Sequence, residues 1–163
     1  MSVAYDEDTR RQPLRTREAG GGDVHAVGAL LVEIMREHAV EPPAQGELES
    51  VIREILEQPG HSFLLLEIEG VIAAMCALVL SWSTWRASLV CELQDVVVSA
   101  PYRGRGYGRL LLEEAERTAR AKGATLLYLS AESWNLPAHA FYRSLSLSEK
   151  TSLHFERDLA RKG

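Results

Sequence analysis

The sequence predicts a mixed α/β fold around one sheet, in the order β-α-α-β-β-β-α-β-α-β, and three observations predict it. Helical and strand periodicities alternate along the chain, the pattern of helices packed on a sheet. Strand-like runs at 62–68, 71–81 and 89–98 are separated only by turn residues, as in an antiparallel meander. The last of these, ending in Val96-Val97-Val98, leads through a helical segment to another strand-like run at 126–130. Such a βαβ crossover makes the two strands it joins parallel neighbours.

Each element has its own local cause. Residues 1–12 are polar and aperiodic, so a disordered arm is expected before a single domain over 13–163. Residues 14–18 suit a short first strand, and Gly20-Gly21-Gly22-Asp23 is a turn ending in a residue suited to cap a helix. Val24, Val27, Leu30, Leu31, Ile34 and Met35 recur at helical spacing until Pro42-Pro43 stops them. Leu48, Val51, Ile52, Ile55 and Leu56 form a second helical face, closed by Pro59-Gly60. The meander follows, with turns at Glu69-Gly70 and at the aromatic stretch 82–87, where Trp82 and Trp85 suit either a substrate-facing loop or packing. Leu110, Leu111, Leu112, Ala115, Thr118 and Ala119 predict a helix that Gly123 ends. After the strand at 126–130, Asn135-Leu136-Pro137 starts a helix to about residue 145, and 152–159 reads as a closing strand.

Length and charge narrow the function classes. A chain of 163 residues supports one domain with a sizeable core. The formal charge of −5 disfavours a nucleic-acid partner and suits a cationic substrate. Cys76 and Cys91 lie in apolar runs and read as reduced core thiols, not as a disulfide or metal pair. No run is apolar enough to span a membrane, and the first residues lack a signal segment, so a cytoplasmic protein with no membrane partner is expected. No His, Cys, Asp or Glu cluster has metal-ligand spacing.

One stretch carries binding chemistry. After Val96-Val97-Val98 and Pro101 come Arg103, Gly104, Arg105, Gly106, Tyr107, Gly108 and Arg109, directly before a helix. A helix start offers unpaired N–H groups and a positive dipole end, and glycines let a ligand approach that backbone. The arginines add forked donors suited to phosphate. A P-loop would need a Lys-Ser/Thr that is missing, and a dinucleotide fingerprint would need Gly-x-Gly-x-x-Gly, where this turn has Gly104-x-Gly106-x-Gly108. The reading is a site for a phosphate or pyrophosphate.

Arg103-x-x-Gly106-x-Gly108 after a Val-rich strand resembles the acetyl-CoA signature of the GNAT N-acetyltransferase superfamily. A second stretch agrees. Leu126-Leu127-Tyr128-Leu129-Ser130, then Trp134-Asn135, then Ala138-His139-Ala140-Phe141-Tyr142 is similar to that family's strand, Asn and Ala-x-x-Phe-Tyr helix. Ser83-Thr84-Trp85, Gln94-Asp95 and Trp134-Asn135 look most like the diamine acetyltransferase group. The chain departs from the usual pattern where Gln94-Asp95 stands for Glu-Asp and Ser146-Leu147 for Gly-Phe or Gly-Ala.

The resemblance implies an enzyme that moves an acetyl group from acetyl-CoA, its co-substrate, to a primary amine by direct attack in a ternary complex. It implies a small-molecule acceptor, with polyamines ahead of amino acids, aminoglycosides and peptide N-termini, and it implies a homodimer. The turn from Arg103 to Arg109 would hold the pyrophosphate, the backbone of Val96, Val97 and Val98 would pair with pantetheine as another strand does, and Asn135 would contact pantetheine or cap its helix. A bulge or splay in the strand before the turn is also implied. Gln94 keeps a second reading open, a catalytically inactive CoA-binding sensor or regulatory module.

The chemistry sets what the site must contain. An alkyl amine with a pKa of ~10.4 is neutral in only about one molecule in 2,500 at pH 7. A carboxylate that takes its proton, directly or through water, is therefore useful. Glu92, eleven residues before Arg103, stands where histone-type members place their base, and Asp95 is the other candidate, as base or as binder of a cation. Strand alternation puts Glu92 and Gln94 on one face and Asp95 on the other unless a bulge intervenes. Tyr142 matches the family's general acid. With a phenol near ~10 facing a thiol near ~8.5, it serves first as a hydrogen-bond donor to sulfur. His139 on the same helix reads as solvated or cofactor-facing rather than catalytic.

Overall fold

The computed structural model describes residues 14–159, and the expected arm at 1–12 lies outside the described residues. The chain divides into two compact units after Ser130.

The first unit is a five-stranded sheet in the order β1-β2-β3-β4-β5. Its strands are β1 (Leu14–Glu18), β2 (His61–Ile68), β3 (Val71–Ser83), β4 (Ser88–Val98) and β5 (Leu126–Leu129). The first four are antiparallel to their neighbours and β5 runs parallel to β4, so the meander and the crossover are both present. The β3–β4 hairpin is longer than its sequence suggests. Trp82 pairs with Leu89 and Ser83 with Ser88, which leaves a short turn with Ala87 at φ 48° and Trp85 fully in solvent. Trp82, an aromatic residue suited to a strand, carries the ladder past Ser81 before the turn closes.

Three helices cover this sheet. α1 (Val24–Glu37) and α2 (Gln45–Glu57) follow β1, and α3 (Tyr107–Ala121) joins β4 to β5. Val24, Val27, Leu30 and Leu31 of α1, with Leu48 and Ile52 of α2, pack on Phe63, Leu65, Met75, Ala77 and Val97. By alternation, Leu64, Leu66, Cys76, Leu78 and Leu93 point to the opposite face, where α3 lies against β2, β3 and β4 with Leu111, Leu112, Ala115 and Ala119 buried. Cys76 and Cys91 are free, buried thiols, and burial pushes Cys76 up to about 12. Asp23 occupies the cap position of α1 without capping it. Its carboxylate instead takes two bonds from Arg17, at 2.7 and 2.8 Å, and one from the Gly20 N–H. Arg17 also donates to Glu67, so one guanidinium fastens β1 to β2 and to the start of α1.

The second unit contains α4 (Leu136–Ser144). Asn135 caps it by accepting the Ala138 N–H at 3.2 Å, with Pro137 in its first turn. Arg143 pairs with Glu149 beyond the helix end. The expected closing strand at 152–159 is not formed: residues 151–159 are exposed and have no ladder. Leu153 and Phe155 supply the alternation of a strand, but alternation becomes a strand only when a neighbour takes the backbone hydrogen bonds.

Candidate functional site

The site begins with an irregularity in β4. Ala77 pairs with Gln94 and Met75 with Val97, so Asp95 and Val96 together oppose Cys76. This is a bulge, and Asp95 takes the left-handed conformation at φ 50° that its first residue often needs. The extra residue resets the alternation. Val97 joins the face covered by α1 and α2, which Glu92 and Gln94 share as cross-strand neighbours of Val79 and Ala77.

Beyond the bulge β4 has a partner on one side only. β5 pairs with Val90, Cys91, Glu92 and Leu93 and stops there, while β4 runs on to Val98 along β3. Among the described residues no strand pairs with 94–98 on the β5 side. The two parallel strands thus part, and an extended ligand can lie along the open edge as an added strand does.

That edge leads into the turn. A single 3-10 turn at Ala100–Tyr102 is followed by Gly104 at φ 73° and Gly106 at φ 83°, the latter at the cap position of α3. A Cβ on either glycine would meet nothing within 4 Å, so the space over this backbone is open. The first N–H groups of a fifteen-residue helix face it. Arg105 and Arg109 are exposed on the same turn. These residues fit a pyrophosphate held by backbone amides. Tyr107 is buried, with its ring 6.5 Å from that of Tyr102, so it offers the ligand its backbone alone. Arg103 points elsewhere: its Nε donates to the Val98 carbonyl at 2.7 Å, and its terminal nitrogen pairs with Glu33 and Glu37 of α1.

The carboxylates stand just before the opening. Glu92 is partly buried and lies directly across from Tyr128 of β5. Burial, together with the neighbouring Glu92 carboxylate, pushes the Tyr128 phenol above its ordinary range. Sequence reading did not single out Tyr128, because the register of two parallel strands joined by a long crossover is set by the fold and not by any local spacing. Asp95 is exposed, and the protein atoms packed around its carboxyl raise it above the usual range by keeping water from part of it. β4 and the turn after it therefore bring Glu92, Asp95, Val96, Val97, Val98 and the 103–109 segment into the first unit. Asn135 and Tyr142 belong to the second. There Asn135 is the α4 cap, the Tyr142 ring stands 5.3 Å from that of Phe141, and His139 bonds the Glu132 carbonyl.

Known proteins match this architecture. The profile of the Acetyltransferase (GNAT) family covers residues 29–146. The chain is 32% identical over 126 residues to the aminoalkylphosphonate N-acetyltransferase of Salmonella typhimurium, spanning 77% of this chain and 79% of that one. It is 28% identical over 150 residues to the thialysine N-epsilon-acetyltransferase of Bos taurus, spanning 83% and 84%. In fold it resembles a possible acetyltransferase from Clostridium difficile 630, with a TM-score of 0.81, 19% identity, and coverage of 91% of this chain and 99% of the other. Among the described residues no helix is long and apolar enough to cross a membrane.

Proposed function

The chain belongs to the GNAT acetyltransferase family, an enzyme family with acetyl-CoA as co-substrate, and from that premise we propose that it acetylates a small primary amine by direct attack. The observation that carries the reading is the parting of β4 from β5 after Leu93, which ends at a glycine-opened helix start. Pantetheine runs along Val96 to Val98, and the amides of 104–109 hold the pyrophosphate. A thioester placed there reaches back toward the point where β5 ends, beside Glu92 and Asp95.

The residues divide the proton work. Asp95 attracts the ammonium form of the acceptor, and Glu92, beside the Tyr128 phenol, receives the proton that the amine must lose. The neutral nitrogen attacks the thioester carbonyl, the carbon–sulfur bond breaks, the nitrogen gives up its surplus proton to water, and the leaving sulfur takes up a proton, the donor role that the family resemblance gives Tyr142, whose phenol is then restored from water. An amide and a free thiol result, with no covalent enzyme intermediate. Relatives named for aminoalkylphosphonate and thialysine, both compounds with a primary amine, support an acceptor of that class. The net charge of −5 supports a cationic one. One domain over 13–163, a homodimer and a reducing cytoplasmic setting, consistent with two free buried thiols, complete the proposal.

Incubating the protein with acetyl-CoA and a panel of diamines, aminoalkylphosphonates, amino acids and aminoglycosides, while following free thiol, tests it. Thiol release that depends on an amine is the expected result. Tight CoA binding with no turnover on any primary amine would overturn the reading.

A further inference from the structure

The turn expected to hold the cofactor is itself held by a residue far away in sequence. Glu33, on the third turn of α1, accepts the Ala100 N–H at 2.7 Å and a terminal Arg103 nitrogen at 3.2 Å on one oxygen. Its other oxygen takes the Ser99 hydroxyl at 2.8 Å. Glu37, one turn further on, takes the Arg103 guanidinium at 2.6 Å. Arg103 closes the loop by donating its Nε to the carbonyl of Val98, where β4 ends. Three successive points of the β4–α3 connection, Ser99, Ala100 and Arg103, are thus tied to one helix. The left-handed Gly104 and Gly106 follow immediately. Glycines make that backbone open to a ligand but also loose, since nothing in their own side chains restricts it. An array of amides selects an anion well only if its position is set beforehand.

We infer that Glu33 is a positioning residue for cofactor binding: with Arg103 as a strut, it fixes the glycine turn against α1 before the pyrophosphate arrives. The inference rests on the proposed acetyl-CoA site. It also changes the part of Arg103. With its charge met by Glu33 and Glu37 and its Nε on Val98, Arg103 braces the turn, and the anion is left to the amides of 104–109 with Arg105 and Arg109.

A pair of acyl donors reads this directly. Acetyl-CoA and S-acetyl-pantetheine present the same thioester, but the second lacks the pyrophosphate and nucleotide. In Glu33→Ala, KM for acetyl-CoA rises about tenfold or more while kcat stays within about threefold, and kcat/KM with S-acetyl-pantetheine is unchanged. Glu33→Gln, which keeps an acceptor for the Ala100 N–H and loses the charge, recovers part of the acetyl-CoA affinity; it also carries the comparison should the alanine variant not fold. Arg105→Ala weakens CoA binding in its own right. Equal losses with both donors would make Glu33 a general support of the fold and overturn the inference, as would unchanged kinetics with acetyl-CoA. Failure of the wild type to bind CoA is a separate outcome: it would remove the proposed function, and this inference with it.

Discussion

Asp95 at the bulge and Tyr128 across from Glu92 carry most of what a residue-scale argument can say. The protein atoms around it raise the Asp95 carboxyl, so the folded protein binds its proton more tightly than the unfolded chain does. Below the ordinary aspartate range both states are protonated and Asp95 adds no electrostatic penalty. As pH rises from about 4 through the raised value, the folded state loses stability. Asp95→Asn should therefore raise Tm at pH 7, by about 2 °C, and the part of that gain due to charge should vanish near pH 3. A gain that is flat with pH would instead reflect the ease with which Asn adopts the left-handed conformation. Tyr128→Phe removes the phenol beside Glu92 and should lower kcat about tenfold without changing CoA affinity, and titration calorimetry beside steady-state kinetics separates the two. Glu92, Asp95 and Tyr142 were legible as candidates from motif spacing. The left-handed Asp95 and the Tyr128 partner were not, because one depends on where the strand ladder slips and the other on register between strands far apart in sequence.

At the scale of elements, turns fix the sheet as much as strands do. Gly60 precedes β2 at φ 82°, and a Cβ there would stand 2.9 Å from the Leu80 carbonyl oxygen, while the Leu80 N–H already bonds Gly60 at 2.7 Å. Gly70, at φ 80° in the β2–β3 turn, has open space. Gly70→Ala should cost about 1 kcal/mol, from backbone conformation alone. Gly60→Ala should cost about 2–3 kcal/mol, because strain and collision add. Urea titrations of the two variants measure the difference, and equal costs would mean that the β2–β3 edge gives way easily. The meander, the α3 crossover and the end of α3 at Gly123 were readable because each has a local cause: alternation, helical period, and a glycine at φ 91°. The strand expected at 152–159 had the local pattern but not the partner. Asp23 had the cap residue's identity, but Arg17 drew its carboxylate away from the helix.

Over the whole chain the charge is −5, yet the proposed cofactor site carries Arg105 and Arg109 on an exposed turn. Local and total fields predict opposite responses to salt. If the net charge governed encounter with anionic CoA, added salt would tighten binding by screening repulsion. The local site should win, because screening over about 8–10 Å confines the ligand's view to the nearest charges. Raising NaCl from about 20 to 500 mM, a range over which the screening length falls several-fold, should weaken CoA binding, measured by calorimetry. The fold as a whole was the most legible level, since alternating helices and strands leave few ways to cover both faces of one sheet.

The bulge at Asp95 and Val96 also bears on which changes of length the chain can survive. Glu92 and Val97 stand an odd number of positions apart, so a regular strand of this length would place them on opposite faces, and the extra residue is what puts both on the side of α1 and α2. Straightening the ladder without a change of length would turn Val97 away from Phe63, Met75 and Ala77, or else carry Glu92 to the opposite side of the sheet. Loss of one of the two residues opposite Cys76 removes the bulge and leaves Val97 paired with Met75, on the face that Glu92 shares. The segment is therefore open to a one-residue loss at the bulge and closed to any change that flattens it at full length.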